Sequence, residues 1–353
     1  MNTNERVKLG FVSPGRWARK LAAAIQSSSV VELVGVASRQ ATNAGAFAEE
    51  FGGKVYGDYA EMLSDPAIEG VVLATPDHVH HRQAMAAFDA GKHVFVEKPI
   101  AHRVDLAVAM QDEARRRDLV LSVGMPLRRN GSARQIKRWI ETGDLGSVVM
   151  VAANHGAPGI QSRGTDGWFS SPESVPGGPL DQLGVHYGDL LQYWFGPITR
   201  VTGTYRRDDS LGGYITAAVA VFSFASGLVA SYTTHLTSAY VSNCIIFGEK
   251  AAVHYNRAGQ ELIWEDILPP DQAKEKGPQK HILEAPEPLP FSGALLEEIE
   301  DFATCIRSGG RPEVGAEEGV SALRVVRAVI EACDTGREVD VLQHTTVYAP
   351  AET

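Results

Sequence analysis

Along roughly the first 125 residues, short apolar runs alternate with longer stretches in which apolar residues recur every three or four positions. The short runs predict buried strands and the longer stretches predict amphipathic helices. Regular alternation of the two favours a parallel, doubly wound sheet. The predicted strands are Val7–Val12, Glu32–Ala37, Val71–Ala74, Val94–Val96 and Leu119–Val123, and the predicted helices are Arg16–Ile25, a segment through Ala46–Ala48, His81–Ala90 and Asp105–Arg116.

From about Leu127 the pattern changes to longer segments in which apolar and polar residues alternate, after an amphipathic helix over Ser132–Thr142. Short connections such as Phe224–Gly227 are typical of hairpins, so this part is predicted to hold a mainly antiparallel sheet. Its predicted strands are Val148–Ala153, Arg200–Tyr205, Tyr214–Phe224, Gly227–Thr234 and Cys244–Phe247. We therefore expect an α/β protein of two domains, residues 1–126 and residues 127–353.

Length and composition are consistent with two globular domains. The chain has 353 residues, of which 44% are hydrophobic and 22% charged. This length exceeds what one ordinary hydrophobic core accommodates. No run approaches the roughly 18 apolar residues of a membrane helix, and the opening M-N-T-N-E-R-V-K-L lacks a signal-like core. A net charge of −10 disfavours a nucleic-acid groove. Three widely spaced cysteines, Cys244, Cys305 and Cys333, argue against disulfides and favour a cytoplasmic location.

The turn after the first predicted strand is a candidate dinucleotide cradle. It reads Ser13-Pro14-Gly15-Arg16-Trp17-Ala18, where the usual fingerprint is G-x-G-x-x-G or A. Gly15 is the glycine that lets the backbone approach a pyrophosphate, and Ala18 is the small residue needed for close helix–strand packing. Ser13 replaces the first glycine, so the tight turn has to form without it.

The residues after the second predicted strand bear on the choice of cofactor. An acid there would bind the ribose 2′-hydroxyl and repel a 2′-phosphate, but the chain offers Ser38-Arg39. A hydroxyl and a fork of cationic donors suit a phosphate, so NADP is preferred over NAD. A solvated loop arginine is the alternative.

The third predicted strand ends in Thr75-Pro76, where proline directs the chain over the sheet edge that a nicotinamide ribose would pass. His78, His80 and His81 follow at once. They have no acidic or thiol partner at helical spacing, so solvated or helix-capping histidines are expected and no metal is assigned.

An acid, a lysine and a proline directly follow the fourth predicted strand, as Glu97, Lys98 and Pro99. A buried parallel strand delivers its next residues to the carboxyl edge of the sheet, where ligands bind. The proline fixes the backbone beside the lysine, which solubility alone does not require. A strand-end salt bridge formed by Glu97 is the alternative.

A glycine-rich segment stands among the strands of the second half, from Gly177 to Asp189, and reads G-G-P-L-D-Q-L-G-V-H-Y-G-D. It leads into a predicted helix that continues through Trp194. On a regular helix Gln182, His186 and Asp189 share one face. A histidine there can donate or accept a proton near neutral pH, whereas a structural histidine within a domain interface is the alternative.

Taken together, Glu97-Lys98-Pro99, Gly177-Gly178 and the L-G-V-H-x-x-D run ending at Asp189 resemble the Gfo/Idh/MocA oxidoreductase family. The likeness covers nearly the whole chain. It implies an N-terminal Rossmann domain and a C-terminal α/β domain with a large, mainly antiparallel open sheet, through which a homodimer or homotetramer forms. It also implies hydride transfer between NAD or NADP and a sugar, inositol or other small hydroxylated compound.

The resemblance implies catalytic roles for two residues. In the family the corresponding lysine and histidine lie beside the substrate hydroxyl, so Lys98 and His186 are the candidates, with Lys98 stabilising charge on the reacting oxygen and His186 positioning it or relaying its proton. The family commonly has aspartate four residues before the histidine, but Gln182 stands here. The neighbouring Asp181 would lie about 140° round a regular helix from His186. Glutamine can orient a hydroxyl but cannot take its proton.

The other expected contacts follow from the same motifs. Cofactor contacts are expected from Ser13, Gly15, Arg16, Trp17, Ser38, Arg39, Thr75, Pro76, His80, Glu97 and Lys98. Substrate contacts are expected from Lys98, Arg128, Trp168, Gln182, His186 and Tyr187, and the loop at 154–175, with Arg163 and Asp166, is expected to shape the pocket. Two other kinds of function remain open: a lyase or glycoside-cleaving enzyme with transient oxidation by bound cofactor, and a dinucleotide-binding sensor without turnover.

Overall fold

The computed structural model describes residues 5–164, 168–172, 174–268, 272, 277, 279–283 and 291–344. The chain divides into two compact units, one formed by Met1–Pro126 with Pro290–Leu323 and the other by Leu127–Leu289 with Arg324–Thr353. Within the described ranges, no helix combines the length and the apolar character needed to cross a membrane.

The secondary structure elements are numbered in chain order. The strands are β1 (Val7–Val12), β2 (Val31–Ala37), β3 (Lys54–Tyr56), β4 (Gly70–Leu73), β5 (His93–Glu97), β6 (Leu121–Gly124), β7 (Val148–Gly156), β8 (Ile198–Asp208), β9 (Tyr214–Phe224), β10 (Val229–His235), β11 (Val241–Gly248), β12 (Ala251–Asn256), β13 (Glu261–Asp266), β14 (Gln279–Leu283) and β15 (Val339–Asp340). The helices are α1 (Arg16–Ile25), α2 (Ala41–Phe51), α3 (Tyr59–Ser64), α4 (His80–Asp89), α5 (Val104–Arg116), α6 (Gly131–Thr142), α7 (Gly159–Arg163), α8 (Val185–Phe195), α9 (Phe291–Ser308) and α10 (Ala316–Thr335).

The first unit is built on a six-stranded parallel sheet in the order β3-β2-β1-β4-β5-β6. This is the Rossmann order, and the predicted doubly wound parallel sheet is confirmed. The strand order reverses between β1 and β4, whose ends are joined by the hydrogen bond from the Ala74 N–H to the Val12 carbonyl, 3.4 Å long. Ligands of open α/β sheets bind outside the carboxyl ends at such a reversal. Strand β3 escapes the sequence prediction because it is three residues long and two of them are exposed.

Helix α9 belongs to the first unit, whereas the sequence predicts residues 127–353 as one domain. Its buried residues Leu295, Ile299 and Phe302 join the hydrophobic core under α1 and α2. The Phe302 ring meets Phe95 of β5 with centroids 6.0 Å apart. The start of α10 packs here too, because a Cβ on Gly319 would stand 2.8 Å from the Val123 side chain. This packing joins segments that are distant in sequence, so the local pattern does not reveal it.

The second unit is built on a nine-stranded sheet in the order β14-β13-β12-β11-β7-β10-β9-β8-β15. The pair β7–β10 is parallel and the other described pairs of this sheet are antiparallel, so the predicted mainly antiparallel sheet is confirmed. Because β7 and β10 run in the same direction, both deliver their last residues to one edge. The segments that carry the candidate functional side chains of this unit lie at that edge.

Candidate active site

The turn after β1 forms with a serine in the left-handed region, since Ser13 has φ +61°. Its N–H donates to the Ala37 carbonyl at 3.0 Å, and its own carbonyl accepts the Gly15 N–H at 2.7 Å. A Cβ on Gly15 would meet only the Ser13 carbonyl, at 3.9 Å, so the space over this residue is open. Arg16 is exposed at the start of α1, and Ala18 is fully buried against the sheet. An open backbone at a helix N-terminus fits the pyrophosphate of a dinucleotide.

Positive charge collects near the ends of β2 and β4. Arg39 is exposed directly after β2, and the half-buried Ser38 accepts the Gln40 N–H on its Oγ at 3.3 Å. Partial burial lowers the pKa of His78, and the guanidinium groups of Arg39 and Arg82 lower that pKa further. The cationic side chains near the ends of β2 and β4 therefore repel one another, and a bound phosphate group would offset this repulsion.

His80 links two segments of the carboxyl edge instead of being solvated or capping a helix as expected. It is 1% exposed, and its Nδ1 and Nε2 lie 3.0 Å and 2.9 Å from the carbonyl oxygens of Pro99 and Thr75. Burial lowers its pKa to about 4. The half-buried Thr75 and Pro76 are thus fixed relative to the segment after β5. A neutral imidazole carries a single N–H, so His80 donates to one of these carbonyls and lies against the other, and its contacts with both make it a positioning residue.

Glu97 and Trp17 connect the lysine segment to the first helix. Glu97 is 7% exposed, and its carboxylate accepts the indole N–H of Trp17. Burial raises the pKa of Glu97 to about 7, while the Lys98 charge and the Trp17 hydrogen bond oppose the rise. Lys98 is half-buried, and its peptide bond to Pro99 is cis. The charge of Lys98 therefore acts on Glu97, and the acid also holds the indole of α1.

The glycine-rich segment does not begin as a regular α-helix. Leu180–Gly184 form a π-turn, in which the Val185 N–H donates to the Leu180 carbonyl, and α8 follows from Val185. The preceding Gly178 has φ +51°, and a Cβ there would stand 2.1 Å from the Ile215 carbonyl oxygen. The sequence predicts one regular helix with Asp181 facing away. In the structure Asp181 is fully buried and paired with Arg327, so it does not replace the usual acid.

His186 lies near the start of α8 and is half-buried. Its ring centroid is 6.3 Å from that of His155, a buried residue near the end of β7. The His155 ring also lies 6.5 Å from the exposed Tyr240. His235 at the end of β10 packs on Gly156, where a Cβ would stand 2.1 Å from its Nε2. Sequence reasoning covered His155 only within the loop at 154–175 that is expected to shape the pocket, whereas the structure places Asn154–Gly156 in β7.

Arg128 forms a buried ion pair and does not face an open cleft. Its Nε donates to Oδ2 of Asp189 at 3.0 Å, its Nη2 donates to Oδ1, and both side chains are buried. The guanidinium also lies over the Tyr193 ring, 5.0 Å from its centroid. The expected substrate contact of Arg128 is therefore replaced by an ion pair that holds α8. Asp189 is the other member of this ion pair. The helix face that it shares with Gln182 and His186 therefore meets the Arg128 guanidinium at Asp189.

Tyr187 is fully buried, which corrects its expected contact with substrate. Its hydroxyl donates to the Asn243 carbonyl at 3.2 Å, and its ring lies 5.3 Å from His155 and 5.4 Å from Tyr232. Burial raises its pKa well above the ordinary value. Tyr187 therefore packs behind His155 and shapes the site from within the core.

The remaining predicted pocket residues are placed in part. Gln182 is half-buried within the π-turn, and the backbone of Trp168 opens a short 3₁₀ turn that ends at Ser170. Arg163 lies over the Phe169 ring, 3.7 Å from its centroid. Asp166 lies outside the described residues. Among the described residues no group of three or more His, Cys, Asp or Glu has the arrangement of a metal site.

Family models match both units in order. Residues 7–125 match the model described as an oxidoreductase family with an NAD-binding Rossmann fold. Residues 133–254 match the model described as the GFO/IDH/MocA C-terminal domain. The two matches together span most of the chain.

Named relatives resemble the chain along most of its length. It is 26% identical over 318 residues to 1,5-anhydro-D-fructose reductase of Ensifer adhaerens, covering 88% of this chain and 91% of the relative. It is 26% identical over 308 residues to an NADP⁺-dependent scyllo-inositol 2-dehydrogenase of Bacillus subtilis (strain 168), covering 82% and 84%. The structure of levoglucosan dehydrogenase with NADH and levoglucosan matches with a TM-score of 0.84 at 22% identity, covering 96% and 100%, and shows the shared fold.

Proposed function

We propose, because this chain belongs to the GFO/IDH/MocA family of oxidoreductases with an NAD-binding Rossmann fold, that it transfers hydride between NAD(P) and a secondary alcohol or ketone. The substrate is a sugar, a polyol or another cyclic hydroxylated small molecule, the class to which the relatives' names point. The observation that carries the proposal is the position of Lys98 at the carboxyl end of β5, beside the buried Glu97 that holds Trp17 of the cofactor turn.

Lys98 stabilises negative charge on the reacting oxygen. When bound, the nicotinamide supplies the hydride acceptor or donor, and the chain supplies the polar groups around the substrate oxygen. The lysine ammonium offers three donors and compensates charge as an alkoxide develops. The Lys98 charge opposes the burial-driven rise in the pKa of Glu97, so the two neighbouring groups act on one another.

His186 is the second proton-handling group. Its imidazole can hold or pass a proton near neutral pH, and its half-buried position at the start of α8 leaves part of the ring accessible. His155 stands beside it and shapes the same surface. Gln182 orients a substrate hydroxyl, since an amide donates and accepts but takes no proton.

The cofactor is NADP in preference to NAD. Arg39 after β2 and Arg82 on α4 both act on His78, so this edge carries positive charge suited to a 2′-phosphate. Arg39→Asp should weaken NADP relative to NAD by tenfold or more in fluorescence titrations, and Arg116→Ala, at an exposed position of α5, should leave the ratio unchanged. An unaltered ratio in Arg39→Asp would remove the role given to Arg39.

The test of the reaction is the near-ultraviolet absorbance of reduced nicotinamide during turnover. Purified protein is incubated with NADP or NAD and a panel of sugars, inositols, anhydrosugars and cyclic diols, and then with the matching ketones in reverse. A steady change in the band supports the proposal. Product formation without a net change would mean a hidden redox cycle, and cofactor binding without any product would mean a sensor; either result overturns it.

We also propose that the chain assembles as a homodimer or homotetramer through the open face of the nine-stranded sheet. Alternation along β9 buries Ala220 and Phe222 but leaves Val219 and Val221 47% and 45% exposed, and Val229 of neighbouring β10 is 45% exposed. A second copy presents the same uncharged, apolar rows. Light scattering should show a dimer or tetramer that Val221→Lys dissociates, and a wild-type monomer at micromolar concentration would refute this.

A cytoplasmic location is proposed from the cysteines. Cys244 and Cys305 are buried, Cys333 is half-buried, and all three are free thiols. A reducing compartment keeps such thiols free. Fractionation of the producing cells should recover the protein with cytoplasmic markers, and recovery with the exported fraction would contradict the location.

A further inference from the structure

We propose that Asp181, held by Arg327, is a positioning residue that fixes the Gly177–Gly178 turn and the π-turn, and thereby sets the direction of His186. The inference rests on the proposed function, because it assumes that His186 handles the proton. In this role the buried Asp181, next to Gln182, positions backbone and does not transfer a proton.

The carboxylate of Asp181 holds two segments at once. Its Oδ2 accepts the Gly177 N–H at 2.8 Å, and its Oδ1 accepts a hydrogen bond from Nη1 of Arg327 at 2.6 Å. The side chains of Asp181 and Arg327 are 0% and 2% exposed. A carboxylate sealed from solvent and bonded on both oxygens is fixed in direction, so the backbone that it holds is fixed as well.

The turn above this carboxylate has little room to move. A Cβ on Gly177 would stand 2.9 Å from Oδ2 of Asp181 and 2.7 Å from Cδ1 of Ile330 on α10. On the other side, Gly178 packs against the Ile215 carbonyl of β9. The two glycines are therefore enclosed by β9, by α10 and by the carboxylate itself.

The π-turn transmits this anchor to the histidine. A π-turn closes a hydrogen bond between residues five apart, and here it joins Val185 to Leu180, the residues just before His186 and Asp181. The rotational position of α8 therefore follows from where Asp181 is held. Releasing Asp181 would let the turn relax toward a regular α-helix and rotate His186.

Stability alone gives little reason for such a pair. Taking two charges out of water offsets most of their attraction, and matched uncharged side chains often serve a fold as well. An ion pair fixes the relative position of its two side chains more strictly than apolar packing does, because charge-assisted hydrogen bonds are short and directional. The role of Asp181 and Arg327 should therefore show in turnover more than in folding.

The test compares Asp181→Asn/Arg327→Met with wild type and with the exposed control Arg200→Met/Glu338→Gln. The double variant removes both charges of the pair together, so its Tm should stay within a few degrees of wild type. We expect kcat to fall tenfold or more, with KM and cofactor Kd within about threefold. Wild-type kcat at a wild-type Tm would show that the pair is only structural and would overturn the proposal.

Two further variants keep the test decisive if the double variant does not fold. Arg327→Lys keeps the charge and a donor for the Asp181 carboxylate, and it should retain kcat within about threefold. Asp181→Glu keeps the pair but lengthens it by one methylene, and it should lower kcat at an unchanged Tm. Full activity in Asp181→Glu would mean that the position of the carboxylate does not matter.

Hydrogen exchange separates this inference from the proposed reaction. In the double variant, the amides of residues 177–186 should exchange at least tenfold faster than in wild type, while those of β9 should keep their rates. Unchanged exchange in this segment refutes the positioning role whatever the activity. If His186→Ala itself keeps wild-type kcat, the role of His186 fails, and the exchange result still decides the anchor.

Discussion

Two edges of the molecule are built in different ways. We call the carboxyl edge of the six-stranded sheet, with the turn at Ser13–Ala18, the cofactor edge, and the edge of the nine-stranded sheet that carries His155 and His186 the histidine edge. The cofactor edge is made of strand–turn–helix connections, and Ser13, Gly15 and Trp17 lie within one such connection. The histidine edge depends on buried ion pairs between residues far apart in the chain, such as Arg128 with Asp189 and Asp181 with Arg327.

The difference teaches where each edge is vulnerable. The cofactor edge consists of backbone groups around open space, so substitutions there should affect ligand binding more than folding. Side-chain charges sealed from water serve the histidine edge, so changes there should act on folding or on the direction of α8. Substitutions in both edges can break or sharpen this contrast.

The largest effects are expected at the two catalytic candidates, one in each unit. Lys98→Met and His186→Ala should each lower kcat about 100- to 10,000-fold, because each removes a group that stabilises charge or moves a proton in the transition state. Steady-state kinetics on the true substrate measures this. Cofactor titration of His186→Ala serves as the control and should stay within about threefold of wild type, and near-wild-type kcat in both variants would contradict the assignment.

The next effect should appear in folding of the second unit. Arg128→Met removes the guanidinium that pairs with the buried Asp189 carboxylate, and its free energy of unfolding should fall by about 3–5 kcal/mol. Arg200→Met is the matched control, since its pair with Glu338 is 56% and 46% exposed and is worth below about 1 kcal/mol. Urea denaturation of both variants tests the contrast, and equal losses would refute it.

Glu97→Gln should change the pH dependence of stability in the first unit. Burial raises the pKa of Glu97 from 4.5 to about 7, so the folded state holds a proton that the unfolded state has released. Stability from this group is thus full below pH 4.5 and declines as pH rises through 7. Glutamine removes that loss, and at pH 8 the variant should be more stable than wild type by on the order of 3 kcal/mol.

Urea denaturation of the two proteins at pH 5 and at pH 8 measures the Glu97 effect. The advantage of Glu97→Gln should be small at the lower pH and larger at the higher pH. A pH-independent difference between the two proteins would show that Glu97 does not titrate in this window.

The smallest effect is expected over Gly15. Gly15→Ala should weaken cofactor binding about tenfold without changing Tm, because a Cβ meets only the Ser13 carbonyl at 3.9 Å but occupies the space that a pyrophosphate needs. Fluorescence titration and thermal unfolding measure the two quantities. Arg116→Ala, at an exposed position of α5, is the control and should keep cofactor affinity. A fall in Tm with unchanged affinity in Gly15→Ala would reverse the contrast.

Much of the fold followed from local pattern. The structure has β1 at Val7–Val12, α1 at Arg16–Ile25 and β9 at Tyr214–Phe224, the bounds that the sequence predicts. Periods of two and of three to four residues are properties of short stretches, so one chain suffices to see them. The same holds for the place of Glu97 and Lys98, since a motif directly after a parallel strand must lie at the carboxyl edge.

The tertiary structure decided which side chains are sealed and by what. Asp181 meets Arg327 across 146 residues and Arg128 meets Asp189 across 61, and no local period encodes a partner at such distances. The same holds for four other features: the burial of Tyr187, the contacts of His80 with two carbonyls, the proximity of His155 to His186 and the packing of α9 on the first sheet. Local sequence fixes which face is apolar, and only packing fixes what that face meets.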